Sequence, residues 1–217
     1  MNAGEAHEAD ASLYMDRAAR LLALLRSDFG MPRATRTVMA VAGESGSGKS
    51  VTAIDLAAIL NRAGIHTAII HQDNYFVRPP RTNHEYRLTD LGSVGPGEVR
   101  LDLIEAHLRA FHAGDAAVTA PVVDYPANRF VTQTLDFSVT DVLVVEGTYA
   151  LFLDGADIRI FLEATHEDSA ERRRVRNRDV DAPIIATILD IEHRIIAPQV
   201  ERADIVISRT WEIVRRR

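Results

Sequence analysis

Twenty-five residues of this 217-residue chain are lysine or arginine, and a single one of them is a lysine. It sits near the end of the run Gly43-Glu44-Ser45-Gly46-Ser47-Gly48-Lys49-Ser50. A chain that uses Arg at every other basic position keeps Lys49 where Arg will not do. A compact ammonium passes into a tight backbone cradle that a planar guanidinium is too broad to enter. The eight residues fit the phosphate-binding pattern G-x-x-x-x-G-K-[ST] without a mismatch. Thr37 to Ala42 reads as a buried strand feeding the loop. Val51 to Arg62 reads as a helix with Val51, Ile54, Ala58 and Ile59 on one face. Strand, Gly-rich loop and helix N-terminus are the setting in which backbone N–H groups point at phosphates. The motif implies that residues 43–51 bind a nucleoside triphosphate; the bland alternative is a Gly/Ser-rich turn that binds nothing.

Composition narrows the rest. The length suits one domain, and an apolar fraction of 47% is ample for a packed core. A net charge of −6 leaves no global basic field to hold nucleic acid. Cysteine is absent, which excludes disulfides, thiolate metal sites and a Cys nucleophile, and is compatible with a reducing compartment. No apolar run approaches the length of a membrane span. Met1 to Asp10 is acidic and polar, unlike a secretory signal. A cytoplasmic protein is the expectation, and a homo-oligomer is compatible with it.

Along the chain, residues 1–33 read as a tail plus a docking helix, and residues 34–217 as a single phosphate-loop domain. The first ten residues read as disordered. Ser12 to Arg26 is amphipathic, with Leu13, Leu21, Leu22, Leu24 and Leu25 available to dock. After the first strand come four more short apolar runs, at 66–71, 141–145, 157–162 and 204–207. Near-continuous apolar runs are what strands covered on both faces look like. Helical patterns lie between them at 51–62, 99–113, 166–178 and 184–197, so the chain reads as α/β with parallel crossovers. Residues 78–97 break the rhythm with Pro79-Pro80, Pro96 and few apolar side chains, and read as a long substrate or lid loop. Residues 117–137 read as a small hairpin.

Several side chains could carry chemistry. Ser50 offers a hydroxyl to Mg²⁺. Glu146 directly follows a buried strand and precedes Gly147, which suits a magnesium-holding carboxylate; the alternative is a strand-end acid facing water. Asp73, in His71-Gln72-Asp73-Asn74-Tyr75-Phe76, suits a base for an attacking hydroxyl, or equally a turn cap. Residues 167–178 carry Arg172, Arg173, Arg174, Arg176 and Arg178. They read either as a solvated face paired with nearby acids or as a lid that brings one or two guanidiniums onto a triphosphate. Nucleic-acid binding fits this patch poorly, because it is short and lacks interleaved aromatics. The histidines show no metal-ligand spacing; His84, in the long loop, is the one to watch.

The order of motifs is informative: GESGSGKS, then HQDNYF about twenty residues on, then PVVDY, VVEG, a basic helix and ERADIVI. From about Val38 to Ser208 the chain resembles the uridine kinase and phosphoribulokinase branch of P-loop kinases. That resemblance implies a three-layer fold with a five-stranded parallel sheet flanked by helices, a small hairpin and a helical lid. It implies ATP and Mg²⁺, with a small hydroxyl compound as acceptor. It assigns Asp73 as general base, Lys49 to the phosphates, and Ser50 and Glu146 to magnesium. Arg172 and Arg176 would then serve catalysis, and Arg173 nucleotide binding.

On the acceptor side the chain departs from that family. The F-D-H-P-type segment, whose Asp holds ribose hydroxyls, is Ser93-Val94-Gly95-Pro96-Gly97 here, with Asp90 as a stand-in. The base-reading Tyr and His are replaced by Val123 and Asn128. Asp124 and Tyr125 match, Arg129 suits an acidic acceptor, and Tyr75 belongs to the substrate-binding set. Uridine or cytidine is the acceptor by resemblance, with a sugar phosphate or other non-nucleoside hydroxyl compound as the alternative. A P-loop ATPase switch is the reading from a different class. A GTPase with an N-K-x-D motif is excluded, since the only lysine lies in the P-loop.

Overall fold

The computed structural model describes residues 3–165, 168 and 183–216, with the side chains of residues 3–15 and of Pro183 outside that description. The strands are β1 (Thr37–Gly43), β2 (Thr67–His71), β3 (Ala117–Asp124), β4 (Arg129–Asp136), β5 (Val142–Glu146), β6 (Ile158–Leu162), β7 (Ile205–Ile207) and β8 (Ile213–Arg215). The main sheet runs β2-β5-β1-β6-β7-β8. Its first five strands are parallel, as the apolar runs imply; β8 adds an antiparallel edge that the sequence reading did not include. β3 and β4 form the expected hairpin, separate from the main sheet.

Alternation along each parallel strand divides the core into two layers. Val38, Ala40 and Ala42 face one layer, while Met39 and Val41 face the other. The helices are α1 (Ala3–Phe29), α2 (Lys49–Arg62), α3 (Pro80–Thr89), α4 (Leu101–Ala113) and α5 (Pro183–Ile196). Helices α1 and α2 cover the Met39 side, and α4 covers the other through Ile104, Leu108 and Phe111. The buried face of α2 is Ala53, Leu56, Ala57 and Leu60; of the residues read as its apolar face, Ile54 is 52% exposed, Val51 and Ala58 are half-buried, and Ile59 packs partly against the core. Helix α1 starts at Ala3, inside the stretch read as disordered, and buries Leu21, Leu22 and Leu25. Leu24 is only partly covered, and the Leu13 side chain lies outside the described residues. Among the described residues no helix is long and apolar enough to cross a membrane.

The stretch read as an irregular loop holds α3 and two short 3₁₀ turns. Pro80 occupies the first helical turn, where a missing N–H costs nothing. The sequence PRTNHEYRLT has no apolar stripe, so periodicity gives no sign of the helix. Polar contacts tie it down instead. Arg87 Nε and Nη2 donate to the two carboxylate oxygens of Glu98 at 2.6 and 2.8 Å, and Asn83 Nδ2 donates to Glu98 Oε1 at 2.9 Å. The proposed lid arginines 172, 173, 174, 176 and 178 lie outside the described residues.

Leu25→Ala tests whether α1 is part of the folded body. With Leu25 wholly buried, the change should cost about 2–5 kcal/mol, read as a lower urea midpoint. An unchanged midpoint would show that α1 does not dock.

Candidate active site

Two glycines shape the phosphate loop at the end of β1. A Cβ on Gly43 would lie 2.7 Å from the Leu162 carbonyl oxygen and 2.8 Å from Ser47 Oγ. Gly48 enters α2 with φ of 102°, a left-handed conformation that other residues adopt only with strain. Lys49 is half-buried, with Nζ donating to the Glu44 carbonyl at 2.8 Å. Burial lowers its proton affinity, while the carboxylates of Glu146, Asp73, Glu192 and Glu44 act to keep it charged. The Glu44 side chain is buried too, and its Oε1 lies 2.6 Å from His193 Nδ1 on α5.

The parallel register sets Glu146 at the end of β5 opposite His71 of β2. Ser50 Oγ donates to Glu146 Oε2 at 3.1 Å, and His71 Nδ1 bonds Glu146 Oε1 at 2.7 Å. That hydrogen bond, against the opposing effect of burial, raises the proton affinity of His71. Ser50 and Glu146 are hard oxygen donors side by side at the phosphate loop, which fits magnesium. No group of three or more His, Cys, Asp or Glu among the described residues could cage a metal. A pair of such donors suits an ion whose remaining ligands are phosphate oxygens and water.

Asp73 is aimed by its neighbours. Gln72 is fully buried: its Oε1 accepts from the Tyr149 N–H at 2.9 Å and its Nε2 donates to Thr148 Oγ1 at 3.2 Å. Any Cβ at Gly147 would overlap the Gln72 side chain, so the E-G pair after β5 needs its glycine for Gln72. Asn74 Oδ1 accepts from the Val123 N–H at 3.0 Å, fastening the hairpin to the same segment. Between these two anchors Asp73 is exposed and lines a cleft of about 380 Å³, together with Ser45 of the phosphate loop. His84, Arg87, Tyr125 and Glu192 line it as well.

Not every residue assigned from sequence reaches this cleft. Tyr75 turns into the core, 2% exposed, with its hydroxyl 3.0 Å from His107 Nδ1; burial raises its proton affinity. Asp90 caps a 3₁₀ turn by accepting from the Gly92 N–H at 3.0 Å and does not line the cleft. Asp124 accepts from the Ala127 N–H and from Arg129 Nε, closing the hairpin tip on itself. Asn128, at a positive φ of 48°, accepts from the Arg81 N–H at 2.9 Å and donates to Thr82 Oγ1 at 3.1 Å. It joins the hairpin to α3. Tyr125 alone of that group lines the cleft.

The sequence reading missed Asn83, Arg87, Glu98 and Glu192, which form a buried polar floor. Arg87 Nη2 also lies 3.0 Å from Glu192 Oε1. Burial pushes the Glu192 carboxyl toward its neutral form, opposed by Arg87 and Lys49. The signal available in the sequence was weak: Glu192 follows Ile188 and Leu189 on α5, but Asp190, His193 and Arg194 on the same helix look no different by residue type.

Residues 38–213 match the Phosphoribulokinase / Uridine kinase family. This chain belongs to that family. Its members are phosphotransferases acting on hydroxyl groups, and its P-loop kinases use ATP. Among curated relatives, the uridine kinase of Staphylococcus aureus is 28% identical over 79% of this chain and 86% of its own length. A bifunctional α-galactosidase/sucrose kinase of Mediterraneibacter gnavus is 29% identical over 82% of this chain, which spans 20% of that enzyme's length. The solved phosphoribulokinase of Rhodobacter spheroides shares the fold, with a TM-score of 0.61 at 17% identity, covering 80% of this chain and 70% of its own.

Gly147→Ala should cost about 1–3 kcal/mol by displacing Gln72, and should lower turnover because Asp73 moves with it. Thermal melts and steady-state rates on one preparation check both effects; a variant with wild-type melting and wild-type rate would count against the Gln72 clamp.

Proposed function

We propose that this chain transfers the γ-phosphoryl group of ATP, with Mg²⁺, to a hydroxyl of a small molecule bound beside Asp73. The observation that carries this reading is the exposure of Asp73 in the cleft shared with Ser45 of the phosphate loop, two residues after the His71 that bonds Glu146 of the Ser50–Glu146 pair. Lys49 and the loop amides hold the β- and γ-phosphates. Ser50 and Glu146 hold the magnesium ion, which, when bound, withdraws charge from the phosphate oxygens. Asp73 takes the proton of the acceptor hydroxyl as its oxygen bonds the γ-phosphorus and the bond to the ADP oxygen breaks. This demands positioning more than strong basicity. Arg172, Arg173 and Arg176 are proposed to neutralise phosphate charge from the lid. A cytoplasmic setting, where ATP is plentiful, suits the chemistry.

Likeness to uridine kinases supports a pyrimidine nucleoside as acceptor. A second reading, a non-nucleoside acceptor, is favoured by the two positions that would read a base. Val123 is 6% exposed, and Asn128 already bonds Arg81 and Thr82. An ATPase switch has no use for an acceptor cleft beside Asp73, and acceptor dependence of ADP release separates the two.

Asp73→Asn should lower kcat by about 10²–10⁴ with the Kd for ATP unchanged, measured by coupled ADP release and by nucleotide titration. Equal rates in the variant would remove Asp73 from the chemistry. Glu146→Ala should raise the Mg²⁺ concentration for half-maximal rate, read from a magnesium titration at fixed ATP; an unaltered titration would release Glu146 from that role.

A further inference from the structure

The cleft wall opposite the phosphate loop is polar in a selective way. Asn83 and Arg87 stand one turn apart on α3, and Glu192 reaches Arg87 from α5. The one guanidinium among them lies between two carboxylates, those of Glu98 and Glu192. Asn83 is 6% exposed and spends its Nδ2 on Glu98, while its buried Oδ1 has no hydrogen-bond partner. A buried acceptor left unpaired is costly, and such a group in a ligand cleft fits a donor supplied by the ligand. Asn83 Oδ1 and the Glu192 carboxylate oxygens are acceptors, so the groups they fit are O–H or N–H. Phe76, Ile188 and Leu189 add an apolar surface beside them, suited to the C–H face of a ring.

Charge argues in the same direction. Lining residues of this cleft include the acids Asp73 and Glu192, while the Arg87 guanidinium is already doubly engaged. A phosphate or carboxylate on the acceptor would face those acids. A pyrimidine would find Val123 buried and Asn128 engaged with α3.

We infer that Asn83, Arg87 and Glu192 form a hydroxyl-reading floor, and that the acceptor is an uncharged polyhydroxylated molecule, a neutral sugar or polyol. This rests on the kinase reading proposed above and narrows it. Asn83 Oδ1 and Glu192 accept hydrogen bonds from neighbouring hydroxyls of the acceptor, and Arg87 holds Glu192 in place. The hydroxyl to be phosphorylated then faces Asp73.

The test is ADP release by the full chain with Mg-ATP against four groups of acceptors. They are neutral sugars and polyols (glucose, fructose, sucrose, xylitol), the 6-phosphates of glucose and fructose, glycerate, and uridine with cytidine. Asn83→Ala, Glu192→Gln and Asp73→Asn are run beside the wild type. The expected result is stimulation by at least one neutral member, abolished by Asp73→Asn. For that acceptor, Asn83→Ala and Glu192→Gln should each raise KM about 5- to 100-fold, with kcat falling less than KM rises and, in Asn83→Ala, the KM for ATP holding. Stimulation confined to nucleosides, phosphate esters or glycerate, still lost in Asp73→Asn, overturns the inference and leaves the kinase standing. Neutral stimulation with an unshifted KM in both floor variants overturns the floor. ADP release indifferent to every acceptor and to Asp73→Asn overturns the kinase reading and this inference with it. Should Asn83→Ala lower the melting temperature, the near-isosteric Glu192→Gln carries the test.

Discussion

One ammonium organises this molecule. Lys49 is half-buried and is drawn on by four carboxylates, each delivered by a different piece of chain: Glu44 by the phosphate loop, Asp73 by the segment after β2, Glu146 by the end of β5 and Glu192 by α5. An isolated charge in such a place would be expelled or neutralised. An excess of unpaired acids would be as costly. Basic side chains sit against these acids in turn: His193 bonds Glu44, His71 bonds Glu146 and Arg87 pairs with Glu192. The site is thus a polar network in which the position of each member depends on the others.

The sheet makes that convergence possible. Ligands bind in open α/β sheets at the carboxyl ends of the strands. β1, β2 and β5 all end on that side, with Val41 and His71 in register with Glu146. The hairpin and α3 belong to another layer of the design. They are joined to each other by Asn128 and to the reactive segment by Asn74, so the acceptor wall is fixed to Asp73 without any strand of the main sheet.

How much of this could be read from the chain alone follows from the kind of force that holds each part. The five parallel strands were legible because hydrophobic burial leaves continuous apolar runs. The phosphate loop was legible because its glycines and lone lysine answer steric demands that few other residues meet. Ser50 followed from the phosphate-loop motif and Glu146 from its place at a strand end, and their side chains meet at 3.1 Å. The face of α2 was misread because apolar residues lie all round this helix: Ala53, Leu56, Ala57 and Leu60 are buried while Ile54 is exposed. Helix α3 and the Arg87–Glu98–Glu192 floor were illegible because side chains distant in sequence hold them by charge, which leaves no period. Tyr75 and Asp90 were over-read for a related reason: a polar residue inside a motif has structural work to do as well. Tyr75 does it in the core, and Asp90 at a turn.

Adjacency on α5 has a consequence of its own. Glu192 belongs to the acceptor wall and His193 to the phosphate loop, yet they are consecutive residues on one rigid cylinder. A helix cannot slide or roll under one of them and spare the other. For anyone redesigning acceptor choice, changes that shift α5 will be transmitted to the nucleotide grip. The same coupling restricts drift during evolution, since a new acceptor gained by moving this helix must also be compatible with the old donor.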